Sequence, residues 1–113
     1  MRREANLFID DILSSINAIE EFSKGMDKKD MISDRLKQSA IVREIEIIGE
    51  AVKNISEDIK SKYKEIEWRK IAGMRDVIIH SYFRIDLDAV WNVIKKDFPT
   101  LKKQMNLIKK DLS

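Results

Sequence analysis

The only histidine of this 113-residue chain, His80, lies in the segment RDVIIHSY, which spans residues 75–82. Arginine offers phosphate oxygens a planar fork of donors, and histidine moves protons near neutral pH. On a continuous helix Asp76 and His80 share a face, so Asp76 is placed to hold the imidazole in one tautomer. RNA supplies its own nucleophile, the 2′-hydroxyl, so cleavage needs a base, an acid and positive charge at the phosphate. The residue types thus fit phosphodiester chemistry at Arg75, Asp76 and His80, but the spacing alone favours a packed or surface histidine or an ion-pair network.

The composition excludes several other kinds of chemistry. The chain has no cysteine, which excludes disulfides, a thiol nucleophile and thiolate metal sites. A single histidine excludes a His-rich metal centre, so we expect neither a metal nor a cofactor. It also means that a mechanism with two imidazoles needs two chains.

The net charge of +2 hides an uneven distribution along the chain. Residues 1–59 carry nine basic and thirteen acidic side chains, whereas residues 60–113 carry thirteen basic and seven acidic ones. The second half therefore favours anionic partners, unless these charges only solvate helix faces. No signal peptide or apolar membrane span is visible, and we expect a cytoplasmic protein without a membrane partner.

Apolar residues recur at intervals of three and four, which predicts helices rather than strands. One stripe runs from Phe8 to Phe22 and ends before Gly25, and a polar connector follows at residues 26–30. A second stripe runs from Ile41 to Ile55; Gly49 within it indicates close approach of another backbone, from a neighbouring helix or a second subunit.

The second half of the chain continues the helical pattern. Ser56 is a predicted cap for a short helix, and a long helix is expected from Trp68 to Phe83, bent near Gly73. Asp86 is the predicted N-cap of the next helix, in which Pro99 either makes a kink or starts a fifth helix. We therefore predict one all-α domain over residues 1–113, an antiparallel bundle of four to five helices.

The segment from residue 66 to residue 91 resembles the HepT-like branch of the HEPN family. The likeness includes the family signature of Arg, four residues, His, any residue and Tyr, here Arg75, His80 and Tyr82. It also includes Ile-Asp at 85–86, Val-Trp at 90–91 and the upstream stretch IGEA at 48–51. Recognisable motifs cover about residues 40–101.

This resemblance implies a HEPN-like bundle that forms a homodimer, with the signatures of both chains in a shared cleft. It implies a metal-independent endoribonuclease, the toxin of a toxin–antitoxin pair, with Arg75 and His80 as the catalytic pair. The implied partner is a minimal nucleotidyltransferase antitoxin, which neutralises the toxin by transferring AMP to Tyr82. A larger assembly with the antitoxin stays open.

Three further residues are candidates for supporting roles. Asp76 stands at the polar position that follows the family arginine and is expected to support the site. Arg84 either contacts phosphate or points to solvent. Glu50 either supports the cleft as a polar group or has a structural role.

Two other functions compete with the ribonuclease. The first is a non-catalytic subunit that binds nucleotide or presents substrate to the nucleotidyltransferase, without cleaving RNA. The second is a helical adaptor in which the polar cluster only stabilises a dimer. DNA binding is disfavoured because no helix is basic enough to enter a major groove.

Overall fold

A computed structural model describes residues 2–80 and 84–112 of the chain. These ranges contain eight α-helices: α1 Arg2–Ser23, α2 Lys28–Ser33, α3 Arg35–Asn54, α4 Glu57–Lys62, α5 Trp68–Ala72, α6 Met74–Ile78, α7 Leu87–Asn92 and α8 Phe98–Leu112. A π-helical turn, Val93–Asp97, joins α7 to α8. The described strands are two residues long each, β1 Ile79–His80 and β2 Arg84–Ile85, and they pair antiparallel. The predicted all-α bundle is confirmed.

The core lies where α1 packs along α3 and α8. Both predicted stripes point into it, and Ile12, Ile16, Ile45 and Ile48 are almost completely buried. The spacing of three and four residues places these side chains on one face of each helix, where burial removes them from water. The two long helices therefore form the scaffold on which the shorter elements are held.

Helix ends follow the local chemistry of the sequence. Gly25 has a φ of +73° just after α1, a left-handed conformation that glycine adopts without strain. Ser56 and Asp86 cap α4 and α7, as predicted. The predicted connector at residues 26–30 is wrong in part, because Asp27 and Asp30 form a reciprocal capping box that starts α2.

Gly49 lies at a close contact between two main chains. A Cβ atom at this position would lie 3.3 Å from the carbonyl oxygen of Ala72, at the end of α5. The neighbouring backbone predicted from this glycine is therefore the short helix α5 of the same chain. This contact fixes how closely α5 and the following α6 approach α3.

The long helix expected from Trp68 to Phe83 is wrong. It is divided at Gly73 into α5 and α6, and the helical conformation ends at Ile78. Ile79 is extended, with φ −112° and ψ 113°. The β-branched run Val77-Ile78-Ile79 explains this end, since such side chains lose rotamer freedom in helices and pack well in strands.

Pro99 does not start a separate helix in the described structure. Residues 87–112 are helical throughout, and the turn before Pro99 is wound as a π-helix, with the Phe98 N–H donating to the Val93 carbonyl. Proline lacks an N–H group and its ring clashes with the carbonyl four residues earlier. A wider turn accommodates both defects without ending the helix.

Candidate active site around Arg75 and His80

Arg75 is the second residue of α6, and its side chain contacts α3. Its Nε donates to Oε2 of Glu46 at 3.2 Å, and its Nη1 lies 3.8 Å from Oδ1 of Asp76. The Arg75 side chain is 44% exposed and Asp76 is 84% exposed. Arg75 is thus oriented by carboxylates yet remains open to solvent, where a phosphate can reach it.

His80 lies at the end of β1, two residues after the end of α6. Its Cα is paired with that of Arg84 in the antiparallel register, and Ile79 is paired with Ile85. The expected sharing of a helix face by Asp76 and His80 is wrong, because α6 ends at Ile78 and Ile79 and His80 form a strand. The backbone pairing places His80 opposite Arg84 instead.

A backbone hydrogen bond closes the β1–β2 pair at the end next to α6 and α7. The Asp86 N–H donates to the Ile78 carbonyl at 2.7 Å, and the Asp86 side chain accepts from the Ala89 N–H at 3.0 Å. One residue therefore closes the hairpin and starts α7. Arg84, between these fixed points, is exposed, which leaves both of its interpretations open. Tyr82 lies outside the described residues.

The carboxylate that accepts a hydrogen bond from Arg75 is that of Glu46, which sequence reasoning did not select. Glu50, the predicted supporting residue, lies one turn later on α3, is exposed, and has Oε1 3.5 Å from Nζ of Lys53. Residues four apart share a helix face, so Glu46 and Glu50 lie on the same face of α3, but no sequence signal pairs Glu46 with Arg75. The two glutamates line one groove between α1 and α3, together with Phe8, Asp11, Arg43, Ile47, Ala51 and Asn54.

The described part of the chain holds neither a metal-binding cluster nor a membrane-spanning helix. No group of three or more His, Cys, Asp or Glu side chains within residues 2–80 and 84–112 is arranged to hold a metal ion. In the same part of the chain, no helix is both long and apolar enough to span a membrane.

Comparison with known proteins identifies the family. The model of the family described as "Ribonuclease HepT-like" matches residues 12–108, which include the whole Arg75–Tyr82 signature. The chain belongs to the HepT-like ribonuclease family. No solved structure matches it.

Relatives of this HepT-like chain are found in Thermococcus cleftensis and Methanocaldococcus jannaschii. "Probable ribonuclease HepT" of Thermococcus cleftensis is 41% identical over 97% of this chain and 100% of its own length. A Methanocaldococcus jannaschii protein, provisionally named an RNase, is 42% identical over 98% of this chain and 96% of its own. A second protein of that organism, whose name joins gamma-glutamylcyclotransferase to a provisional RNase, is 41% identical over 99% of this chain. The chain spans only half the length of that last relative.

Proposed function

We propose that this protein is a metal-independent endoribonuclease, the toxin of a toxin–antitoxin pair, which cleaves RNA with Arg75 and His80. The observation that carries the proposal is the Arg75–His80 signature within the family match, with a solvent-accessible guanidinium at its first residue. Membership of a ribonuclease family supports RNA as the substrate class. The position and charge of Arg75 suit it to a phosphate of the RNA backbone.

The reaction needs no protein nucleophile. The imidazole of His80 takes the proton of the RNA 2′-hydroxyl, whose oxygen attacks the adjacent phosphorus. The bond from phosphorus to the 5′-oxygen breaks, and that oxygen receives a proton from an acid. The products are a 2′,3′-cyclic phosphate and a 5′-hydroxyl. Arg75 stabilises the negative charge that grows on the phosphate oxygens during this step.

An RNase assay on unmodified protein tests this function most directly. We expect cleavage that persists in excess EDTA and falls by about 100-fold or more in His80→Ala, the usual range for loss of a general base. Arg75→Ala should show a comparable loss. Arg69→Ala, which removes an exposed arginine from α5, is the matched control and should cleave at the wild-type rate.

Other outcomes of this assay support the competing functions. Absence of cleavage by the unmodified protein, with no growth defect on expression alone, would favour the nucleotide-binding or substrate-presenting subunit. Cleavage that EDTA abolishes would refute metal independence while leaving the ribonuclease. Variants that weaken a dimer without any effect on RNA would favour the helical adaptor.

The proposed homodimer gives the single histidine a specific role. Each chain contributes one His80 to a shared cleft, so that one imidazole acts as base and the other as acid. Mixed dimers of wild-type and His80→Ala chains test this division. Activity per wild-type subunit should fall below that of the wild-type dimer, and full activity would show that each His80 acts alone.

The proposed neutralisation is AMP transfer to Tyr82 by a minimal nucleotidyltransferase antitoxin. The phenol oxygen attacks the α-phosphorus of ATP and pyrophosphate leaves, so that Tyr82 carries AMP through a phosphodiester bond. This adds a negative charge and a bulky base to the signature that holds Arg75, which blocks the binding of RNA phosphate. Intact-mass measurement after incubation with partner and ATP should show added AMP, absent in Tyr82→Phe. AMP on another residue would contradict the assignment.

A further inference from the structure

We propose that Glu46 is the positioning residue for Arg75, holding its guanidinium in the orientation that receives the RNA phosphate. The proposal rests on the proposed function and adds a residue outside the signature to the site. Glu46 belongs to α3, 29 residues before Arg75 in sequence, and its Oε2 accepts from Arg75 Nε at 3.2 Å. The contact is therefore a product of the fold and not of local sequence.

Glu46 and Asp76 contact different nitrogen atoms of the Arg75 guanidinium. Glu46 accepts a hydrogen bond from Nε and Asp76 lies nearest Nη1, whereas Nη2 donates no hydrogen bond to a residue within 2–80 or 84–112. An arginine held at Nε cannot rotate its planar fork freely, yet keeps donors available for a second anion. Glu46 thus fixes the plane of Arg75 without using all of its donors.

The main chain enforces the distance between the two side chains. The close approach of Gly49 to the Ala72 carbonyl sets the separation of α3 from α5, and α6 begins two residues after Ala72. Glu46 lies one turn before Gly49 on α3. The contact of α3 with α5 and α6 therefore brings carboxylate and guanidinium together before substrate arrives, which lowers the cost of ordering Arg75 during the reaction.

Because both side chains are partly exposed, a positioning role of Glu46 can be distinguished from a structural role by comparing activity with stability. Glu46 is 43% exposed and Arg75 is 44% exposed, and exposed ion pairs contribute little to stability. Removing the Glu46 carboxylate should therefore leave the unfolding midpoint nearly unchanged. An effect on turnover would then come from the site and not from a loss of folded protein.

The test compares Glu46→Ala with a matched variant, Glu20→Ala. Glu20 is also a half-exposed glutamate on a long helix and is paired with a cation, Lys102 at 2.7 Å. We expect Glu46→Ala to lower kcat about ten-fold with KM changed less than about three-fold, because misorientation acts in the transition state. Glu46→Gln, which keeps an oxygen acceptor for Nε, should recover part of the loss, and Glu20→Ala should match wild type.

Two measurements distinguish this proposal from its alternatives. In an Arg75→Ala background, Glu46→Ala should have no further effect, and an additional loss would show that Glu46 acts on substrate directly. The ¹H–¹⁵N resonance of Arg75 Nε–H should move and exchange faster with water in Glu46→Ala but not in Glu20→Ala. An unchanged resonance, or wild-type kcat in Glu46→Ala, would overturn the proposal. An inactive wild-type protein would refute the proposed function, and the resonance would still decide whether Glu46 orients Arg75.

Discussion

Ile78 and Val77 are neighbours at the end of α6 with opposite burial, so their substitution by alanine tests the placement of the candidate site. The Ile78 side chain is completely buried, whereas Val77 is 60% exposed. Ile78→Ala removes three buried carbons, about 2.4 kcal/mol at roughly 0.8 kcal/mol each, and the remaining cavity adds to this. We expect a total loss of about 2.5–4 kcal/mol for Ile78→Ala and a change within about 0.5 kcal/mol for Val77→Ala.

The assay is urea unfolding followed by far-UV circular dichroism at a fixed protein concentration, because self-association would shift the apparent stability. The Ile78 carbonyl that closes the hairpin belongs to the backbone and survives the substitution, so the difference reports the side chain. In thermal unfolding the same loss corresponds to a fall in Tm of roughly 10–17 °C for Ile78→Ala.

Equal losses in the two variants, or a larger loss in Val77→Ala, would refute the reasoning. Either result would mean that the helix faces are rotated at the end of α6. Arg75 precedes Ile78 by three residues on that helix, so its contact with Glu46 would then be wrong as well. The stability measurement thus checks the geometry of the site without any substrate.

Two further predictions concern side chains that end or fasten helices. Asp86→Ala should lower the free energy of unfolding by about 1 kcal/mol through loss of the α7 N-cap, whereas Asp88→Ala in the same first turn should cost less than about 0.5 kcal/mol; an equal cost in urea unfolding would contradict the cap. The Tyr63 hydroxyl donates to Asp111 at 2.7 Å, and this hydrogen bond raises the pKa of Tyr63 above 10.0. Its stabilisation is therefore complete below the unfolded pKa and is lost as pH rises through the folded pKa. Urea midpoints across this alkaline range should fall less steeply in Tyr63→Phe, and an identical slope would refute the linkage.

The sequence was sufficient for the scaffold because periodicity is a local signal. The spacing of Ile41, Ile45 and Ile48 predicted one buried helix face, and all three side chains are completely buried. Gly49 also predicted a close backbone, although only the fold shows that the neighbour is Ala72. Local pattern therefore predicted which residues are buried but left the identity of their contacts undetermined.

The elements near the signature were harder to predict because short segments have no measurable period. Two-residue strands cannot show alternation, so the pairing of Ile79 with Ile85 was invisible before the fold was known. The β-branched run at residues 77–79 was the available signal against a helix extending to Phe83. Its effect on the site is direct, because it separates His80 from the helix that carries Arg75.

The sequence predicted the reactive residue types of the candidate site but not the residue that orients them. Arg75 follows from residue type and family signature, and the structure places it in solvent contact. Glu46 could not be paired with it from sequence, since their contact depends on how α3 meets α6. The carboxylate of Glu46, 29 residues before Arg75, can accept a hydrogen bond from the guanidinium only after α3 and α6 have packed together.

Contacts formed only in the fold also account for part of the uneven charge distribution between the two halves of the chain. Cations of the basic half, residues 60–113, pair with carboxylates of the acidic half: Lys102 with Glu20, Lys109 with Asp10, and Arg75 with Glu46. The excess that sequence assigned to anionic partners is therefore partly neutralised within the fold. Because exposed ion pairs are weak and screened by salt, an RNA phosphate can still compete for a cation held this way. In the proposed ribonuclease, recognition would then depend on a phosphate that fits the oriented fork of Arg75, and less on a broad cationic surface that would attract any polyanion.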